Sequence, residues 1–438
     1  MKLLFIVADT LRADHLSCYG YPKPTSPNID AIAEKGVRFT NCFAHGNCTH
    51  PGFTSILTGC YPVHHRVVCH WTPVDPDPSI PMLPEVLKRS GTLTAAVDNL
   101  YNRWVETHRV YPWFKKGYDS YLYPDPEGRT QTADKVTDMV LSWLEAHSTE
   151  DFFLFVHYWD VHGPYIPPIT NRKFYEGDPR DPKHRSLEIV KKCRRLWDDG
   201  QYDPGQITDM AYIVSLYDGE IHFVDEQVGR IVEKVEQLGI QDETLFALTA
   251  DHGEILDEMR IVSGWPVAFA HIDLYDENLH VPLILSGGAL PSGKTVPALV
   301  QHVDIASTLL DLMGAEDLPE MDGTSLLPLT RGEVTDIGTV VHMSENTYQK
   351  KRGIRGEEWK FVKNLDDLTS RPQKELYNVR YDPGERINLI DKERELGNKM
   401  EQEMDAWVRQ MLQGKRDPLI ELPVRTRYFP RDFYPKPK

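Results

Sequence analysis

A chain of 438 residues with 40% apolar and 26% charged side chains has an ordinary globular composition, which excludes disorder, collagen and coiled coil as descriptions of the whole. Lysine and arginine number 49 against 66 aspartates and glutamates, and the net charge of −17 argues against DNA, RNA or an anionic membrane as partner. An anion can still bind where a metal ion concentrates positive charge.

Residues 3–8 form a continuous apolar run, as a strand covered on both faces requires, and the run stops at Asp9-Thr10. That acid comes too early for a signal peptide, and six irregularly spaced cysteines suit neither a disulfide framework nor a paired-thiolate zinc site, so a reduced, cytoplasmic setting is expected. The same strand design recurs at 152–157, at 244–248 running into Asp251-His252-Gly253, and at 281–285. Between these runs lie helical periods. Residues 133–146 place Val136, Met139, Val140, Trp143 and Leu144 on one face. Residues 211–238 repeat apolar side chains every three or four positions and close at Gly239, and 302–314 ends in a glycine stop. The alternation predicts an α/β fold: a large, mostly parallel sheet sandwiched by helices. Beyond Arg331 the texture changes to short strands at 340–344, 359–362 and 375–379, followed by a helix at 392–411. We read three units: a catalytic α/β domain over 1–330, a smaller C-terminal α+β subdomain over 331–416, and an extended, proline-rich tail over 417–438. The tail either wraps a neighbouring subunit, giving a homo-oligomer, or packs across its own chain.

In sheets of this kind ligands bind beyond the carboxyl ends of the strands, and three of the four runs end there in an Asp or His cluster. Asp9, Asp251 and His252 make a ligand set for a hard or borderline divalent cation. One Asp-His pair alone reads equally well as a helix cap beside a surface histidine; three such ends on one edge favour the cation. In the segment from Asn47 to Gly59, Pro51 suits the first turn of a helix and Thr49 its cap, which would set a hydroxyl at the positive end of a helix dipole. By itself that is a plain capping threonine. Beside a metal it can ionise and attack. The inserted segment 173–206 carries the basic run Lys191-Lys192-Cys193-Arg194-Arg195, read as solvated surface on a lid.

These motifs, taken in order with Asp9-Thr10-Leu11-Arg12-Ala13-Asp14, Leu57-Thr58-Gly59, His162-Gly163-Pro164-Tyr165, Asp251-His252-Gly253-Glu254 and Glu375-Leu376-Tyr377-Asn378, resemble the sulfatase branch of the alkaline phosphatase superfamily. That branch includes arylsulfatases, phosphonate monoester hydrolases and phosphodiesterases. The resemblance runs to about residue 390 and implies metal-assisted transfer of a sulfuryl or phosphoryl group to an enzyme nucleophile. It puts Thr49 among the metal ligands with Asp9, Asp251 and His252, and His162 on the substrate oxygens.

The departures from the pattern are specific. Sulfatases carry Cys or Ser, converted to formylglycine, eight residues before the Leu of Leu-Thr-Gly; that position here is Thr49, which cannot become the aldehyde. Cys48 lies one place early and lacks the surrounding motif. A formylglycine hydrate expels sulfate by collapsing to aldehyde, whereas a threonine ester must be cleared by water, a two-step route familiar for phosphoryl groups. Asn99 and Tyr101 stand where the pattern has Lys and His, replacing two cationic contacts to the substrate by neutral donors. His271 replaces a Lys near the leaving oxygen, where an imidazole could act as general acid or, with Asp160 and His162, hold a second metal. His280 occupies an Arg position, either in the pocket or at the edge of the core. The resulting expectation is a hydrolase of small-molecule phosphate esters, phosphodiesters or phosphonate monoesters favoured, using one divalent ion (Mn, Zn, Ca or Mg) and a phospho-Thr49 intermediate. A sulfuric ester hydrolase and an inactive metal- or anion-binding protein are the alternatives.

Overall fold

The computed structural model describes the whole chain apart from residues 71, 100–111, 126–131, 188–205, 263–264, 316–319, 367–371 and 425–438. Tyr101, the basic run at 191–195 and the aromatic end of the tail lie outside the described residues.

The first strand, β1 (Lys2–Ala8), is buried along its whole length. It pairs in parallel with two later strands, so both edges are covered as well as both faces. In chain order the other strands of the large sheet are β2 (Gly36–Phe43), β3 (Leu93–Asp98), β4 (Ser120–Leu122), β5 (Phe152–Tyr158) and β6 (Thr244–Thr249). A short hairpin of β7 (Arg260–Val262) and β8 (Trp265–Val267) precedes the last two, β9 (His280–Ser286) and β10 (Lys294–Gln301). Across the sheet the order is β10-β2-β9-β6-β1-β5-β3-β4. Helices Pro27–Glu34, Ala133–His147 and Met210–Gln237 pack together as one covering layer; Thr49–Thr58, Leu83–Arg89 and His302–Leu312 form another. Among the described residues no helix is long and apolar enough to cross a membrane.

The expected sheet is therefore present, with one strand reversed. The run read at 281–285 becomes β9, which is antiparallel to both β2 and β6. Between β6 and β9 the longest described helix is the four-residue Asp276–Leu279, too short for the crossover a parallel neighbour needs, so the chain comes back along the adjacent edge. Sequence patterning missed β2, whose sequence GVRFTNCF interleaves polar residues with buried ones, and β10, which is half exposed at its start.

The C-terminal part is a second sheet, antiparallel in chain order: β11 (Val341–Glu345), β12 (Lys351–Arg355), β13 (Trp359–Asn364) and β14 (Lys374–Asn378). Helix Arg394–Leu412 buries Gly397, Met400, Met404 and Val408, a stripe at helical spacing, and its methionines close on Ile354, Phe361 and Leu376. The tail begins differently from expectation. Residues 418–421 form a short helix, Pro418–Glu421, with Pro418 in its first turn, where a missing N–H costs nothing. Asp417 meets Arg352, and Glu421 meets Arg66, so this part of the tail folds onto its own chain.

β12 escaped notice because it reads KRGIR, yet all five residues are buried. Lys351 is fully buried with its ammonium 2.9 Å from Asp273 and 3.1 Å from Glu375. Since Asp273 lies two residues from His271, this ion cluster ties the second sheet to a loop of the first. Replacing one partner of such a cluster strands the others in low dielectric. Lys351→Met is accordingly expected to destabilise folding by about 3–5 kcal/mol in denaturant titration.

Candidate active site

Register brings the acids together. Val7 of β1 lies opposite Thr249 of β6, so Asp9 and Asp251, each two residues further on, emerge side by side from the same face. Both carboxylates are fully buried. Thr10, at a left-handed φ of 57°, is a costly conformation for a β-branched residue, and it aims its backbone N–H at Asp251 Oδ1, 3.2 Å away. The Tyr217 hydroxyl holds that turn by donating to the Thr10 carbonyl at 2.8 Å. His252 donates its backbone N–H to Asp251 Oδ1 at 2.9 Å, and its Nδ1 lies 2.8 Å from the Gly253 carbonyl. A proton on Nδ1 leaves the Nε2 lone pair facing the acids, 3.4 Å from Asp251 and 3.9 Å from Asp9.

Thr49 opens helix Thr49–Thr58, but it is not the cap; Cys48, in extended conformation, takes that place and makes no side-chain cap bond. The Thr49 hydroxyl is therefore not spent on the backbone and lies 3.5 Å from His252 Nε2. The helix comes this close because of Gly52: a Cβ there would sit 2.6 Å from the Asp251 carbonyl oxygen. Asp9, Asp251, His252 and the hydroxyl at 49, which the sequence drew from three distant stretches, thus share one site.

The electrostatics fit a cation. Burial raises Asp9 above the usual carboxylate range, and the neighbouring Asp251 adds to it; burial brings Asp251 up to about 6. Burial also lowers His252 to about 4, helped by repulsion from His271. Both Asp9 oxygens, Asp251 Oδ2 and Thr10 Oγ1 are buried and accept no hydrogen bond. One ligand atom from each of Asp9, Asp251 and His252 lies within 4.8 Å of the others. Two repelling acids with three unpartnered carboxylate oxygens and a neutral imidazole suit a divalent metal.

Of the residues assigned to the substrate, His271 and His162 are at the site. Their rings are 5.2 Å apart, and the His271 ring is 4.7 Å from that of His252. Burial works against a charge on His271, but Glu254 at 3.7 Å, with Asp9 and Asp251, outweighs it and raises the group. Asn99 is buried just past the end of β3, next to Asp98. His280 is a correction. Its Nε2 lies 2.8 Å from the Thr40 carbonyl and its ring stacks on Phe43 at 5.1 Å, so a backbone acceptor and the strand edge hold it, and none of these contacts is with the Thr49 cluster. Burial lifts Asp160 to about 7 with Asp134 adding to it, and Asp160 in turn raises the buried Glu220 beyond the effect of burial.

Several residues here were not singled out by sequence. His157 of β5 pairs in register with Asp98, its Nδ1 2.7 Å from that carboxylate, and points Nε2 at Asp9 from 3.9 Å. Despite burial, the two acids push it up to about 9. An aspartate at the end of β3 and a histidine ending an apolar strand were the available signals. His70 contacts His50 at 3.0 Å, and burial with repulsion from His50, His271, His252 and His162 keeps it well below the ordinary range. The turn from β11 to β12 closes the site from the second sheet. Thr347 bonds Cys48 Sγ at 3.1 Å and the His70 N–H at 2.9 Å, and Asn47 donates to the His271 carbonyl at 2.8 Å.

Residues 2–315 match the sulfatase family, and residues 268–411 match the C-terminal part of N-sulphoglucosamine sulphohydrolase. The chain belongs to the sulfatase family. It is 23% identical to the N-acetylglucosamine-6-O-sulfatase of Bacteroides thetaiotaomicron, over 89% of this chain and 83% of that one. It is also 23% identical to PehA of Trinickia caryophylli, a multifunctional alkaline phosphatase superfamily protein, over 78% and 79% of the two chains. Among solved structures, the phosphonate monoester hydrolase of Agrobacterium radiobacter superposes with a TM-score of 0.73 at 20% identity, covering 94% of this sulfatase-family chain and 96% of that chain. A structure in complex with D-glucosamine-2-N,6-O-disulfate gives 0.74 at 20% identity, covering 95% and 99%. This sulfatase-family protein is an ester hydrolase, and the family generally works with a divalent metal.

Proposed function

We propose that the chain hydrolyses phosphate esters, phosphodiesters or phosphonate monoesters above all, through an ester formed on Thr49. The observation that carries this reading is the Thr49 hydroxyl, unmodifiable to formylglycine and uncommitted to capping, standing 3.5 Å from His252 beside the Asp9–Asp251 pair. Asp9, Thr49, Asp251 and His252 would hold the cation, which when bound lowers the pKa of the hydroxyl and screens charge building on the substrate oxygens. Thr49 Oγ1 loses its proton to solvent and forms the bond to phosphorus as the bond to the leaving oxygen breaks. His271, whose protonated form Glu254 favours, gives that oxygen a proton. His162 and Asn99 orient the non-bridging oxygens. Water then attacks phosphorus and frees Thr49, returning a proton to its oxygen.

Sulfate ester hydrolysis is the second reading, favoured by the many relatives named as sulfatases, the choline-sulfatase of Rhizobium meliloti among them. Rates on matched aryl phosphodiester, aryl phosphonate and aryl sulfate decide between them. The phosphorus esters are expected to lead in kcat by about 10²-fold or more, since a threonine sulfate has no aldehyde route for release. A faster aryl sulfate would reverse the choice. His271→Ala is expected to cost about 10²–10⁴-fold in kcat for an alkoxide leaving group and far less for an activated nitrophenol, which needs no proton.

A further inference from the structure

A second group of donors stands at the other end of the helix that carries Thr49, about 15 Å away by the rise of ten residues. Gly59, at φ 65°, ends that helix, and Cys60 follows it. Cys60, His64 and Asp322 each offer an atom within 4.8 Å of the others. Their backbones are fixed independently of any bond among the side chains. His64 sits on the helix Pro62–His65, Asp322 donates its N–H to the Gly59 carbonyl at 2.9 Å, and the Tyr61 N–H donates to Asp322 Oδ2 at 2.8 Å.

The imidazole is oversubscribed. His64 Nδ1 lies 3.1 Å from Asp322 Oδ1 and 3.0 Å from Oδ2, and Cys60 Sγ lies within 4.8 Å of a ligand atom of each. One N–H points along one line, so it cannot serve both carboxylate oxygens equally well. The thiol's own alternative is a long 3.6 Å contact to the Thr58 carbonyl. Cys60 is fully buried, whereas the His64 side chain is 32% exposed, so water reaches the group from one side. We infer that Cys60, His64 and Asp322 bind a zinc-class divalent cation, with solvent completing a tetrahedral set. Thiolate, imidazole and carboxylate together select a borderline ion over magnesium or calcium. Binding releases protons from the thiol and the imidazole. The bound ion pins the turn after the Thr49 helix to the loop around Asp322. Hydrolysis does not pass through it.

The test uses the full chain, stripped of metal, in the Asp251→Asn background, so that the catalytic centre competes weakly. Titration with Co(II) is expected to produce a thiolate-to-cobalt charge-transfer band that saturates near one equivalent and is displaced by Zn(II). Cys60→Ser should abolish the band and Cys48→Ser should leave it, the latter excluding the thiol beside Thr49. His64→Gln, which removes no buried sulfur, should weaken Co(II) binding by about 10-fold or more. Absence of the band, its loss in Cys48→Ser but not in Cys60→Ser, or unchanged affinity in His64→Gln would each overturn the site. Failure of the catalytic reading leaves these outcomes unaffected, because they are read in a catalytically disabled background.

Discussion

Thr49→Ala is expected to lower kcat by at least about 10⁴-fold, because it removes the atom that forms the covalent bond rather than one that assists it. The same change should cost no more than about 1 kcal/mol of folding stability. Its hydroxyl caps nothing, and its neighbours across the site are polar groups that water can serve. Thr49→Ser keeps the oxygen and should retain activity within about 10-fold, reflecting only a looser rotamer on a side chain no longer β-branched. Loss of activity in Ala with recovery in Ser, at equal unfolding midpoints, separates a nucleophile from a packing residue. Equal turnover by the parent protein and Thr49→Ala would remove Thr49 from the chemistry.

Asp251→Asn should weaken divalent metal binding by more than about 100-fold, since even groups one layer further out from a metal typically cost 10–100-fold when altered. Turnover should fall with it and return only in part at high metal concentration. The substitution keeps an acceptor for the Thr10 and His252 backbone N–H groups, both of which use Oδ1. It also removes one member of a buried, mutually repelling acid pair. The metal-free variant should therefore melt no lower than the metal-free parent, whereas added metal should stabilise the parent by more than it stabilises the variant. Calorimetric metal titration and thermal melts with and without chelator check both halves.

The frame of this site was legible because parallel strands buried on both faces leave plain apolar runs, and each run stops where the chemistry starts. Asp9 and Asp251 could be paired from sequence for that reason alone. His70 could not, because it lies in a loop whose placement depends on a bond to Thr347, nearly three hundred residues away. His157 was hidden by its own strand, where a histidine among phenylalanines looks like core until its partner Asp98 is seen on the neighbouring strand. His280 failed for the opposite reason: a motif position suggested a pocket residue, while the reversal of β9 gave its ring to the Thr40 carbonyl and Phe43. Lys351 shows the same limit in the second sheet. A charged stretch reads as surface, and only the acids of two other segments make it a buried strand.

Esterification of Thr49 Oγ1 during turnover is the step on which the proposed hydrolysis turns. Rapid acid quench of the metal-loaded protein with an activated aryl phosphodiester, followed by intact mass and peptide mapping, tests it most directly. A transient gain of the substrate's phosphoryl group is expected on the peptide containing Thr49, absent from Thr49→Ala. Full turnover with no such adduct, and with solvent oxygen entering the product in a single displacement at inverted phosphorus, would contradict it.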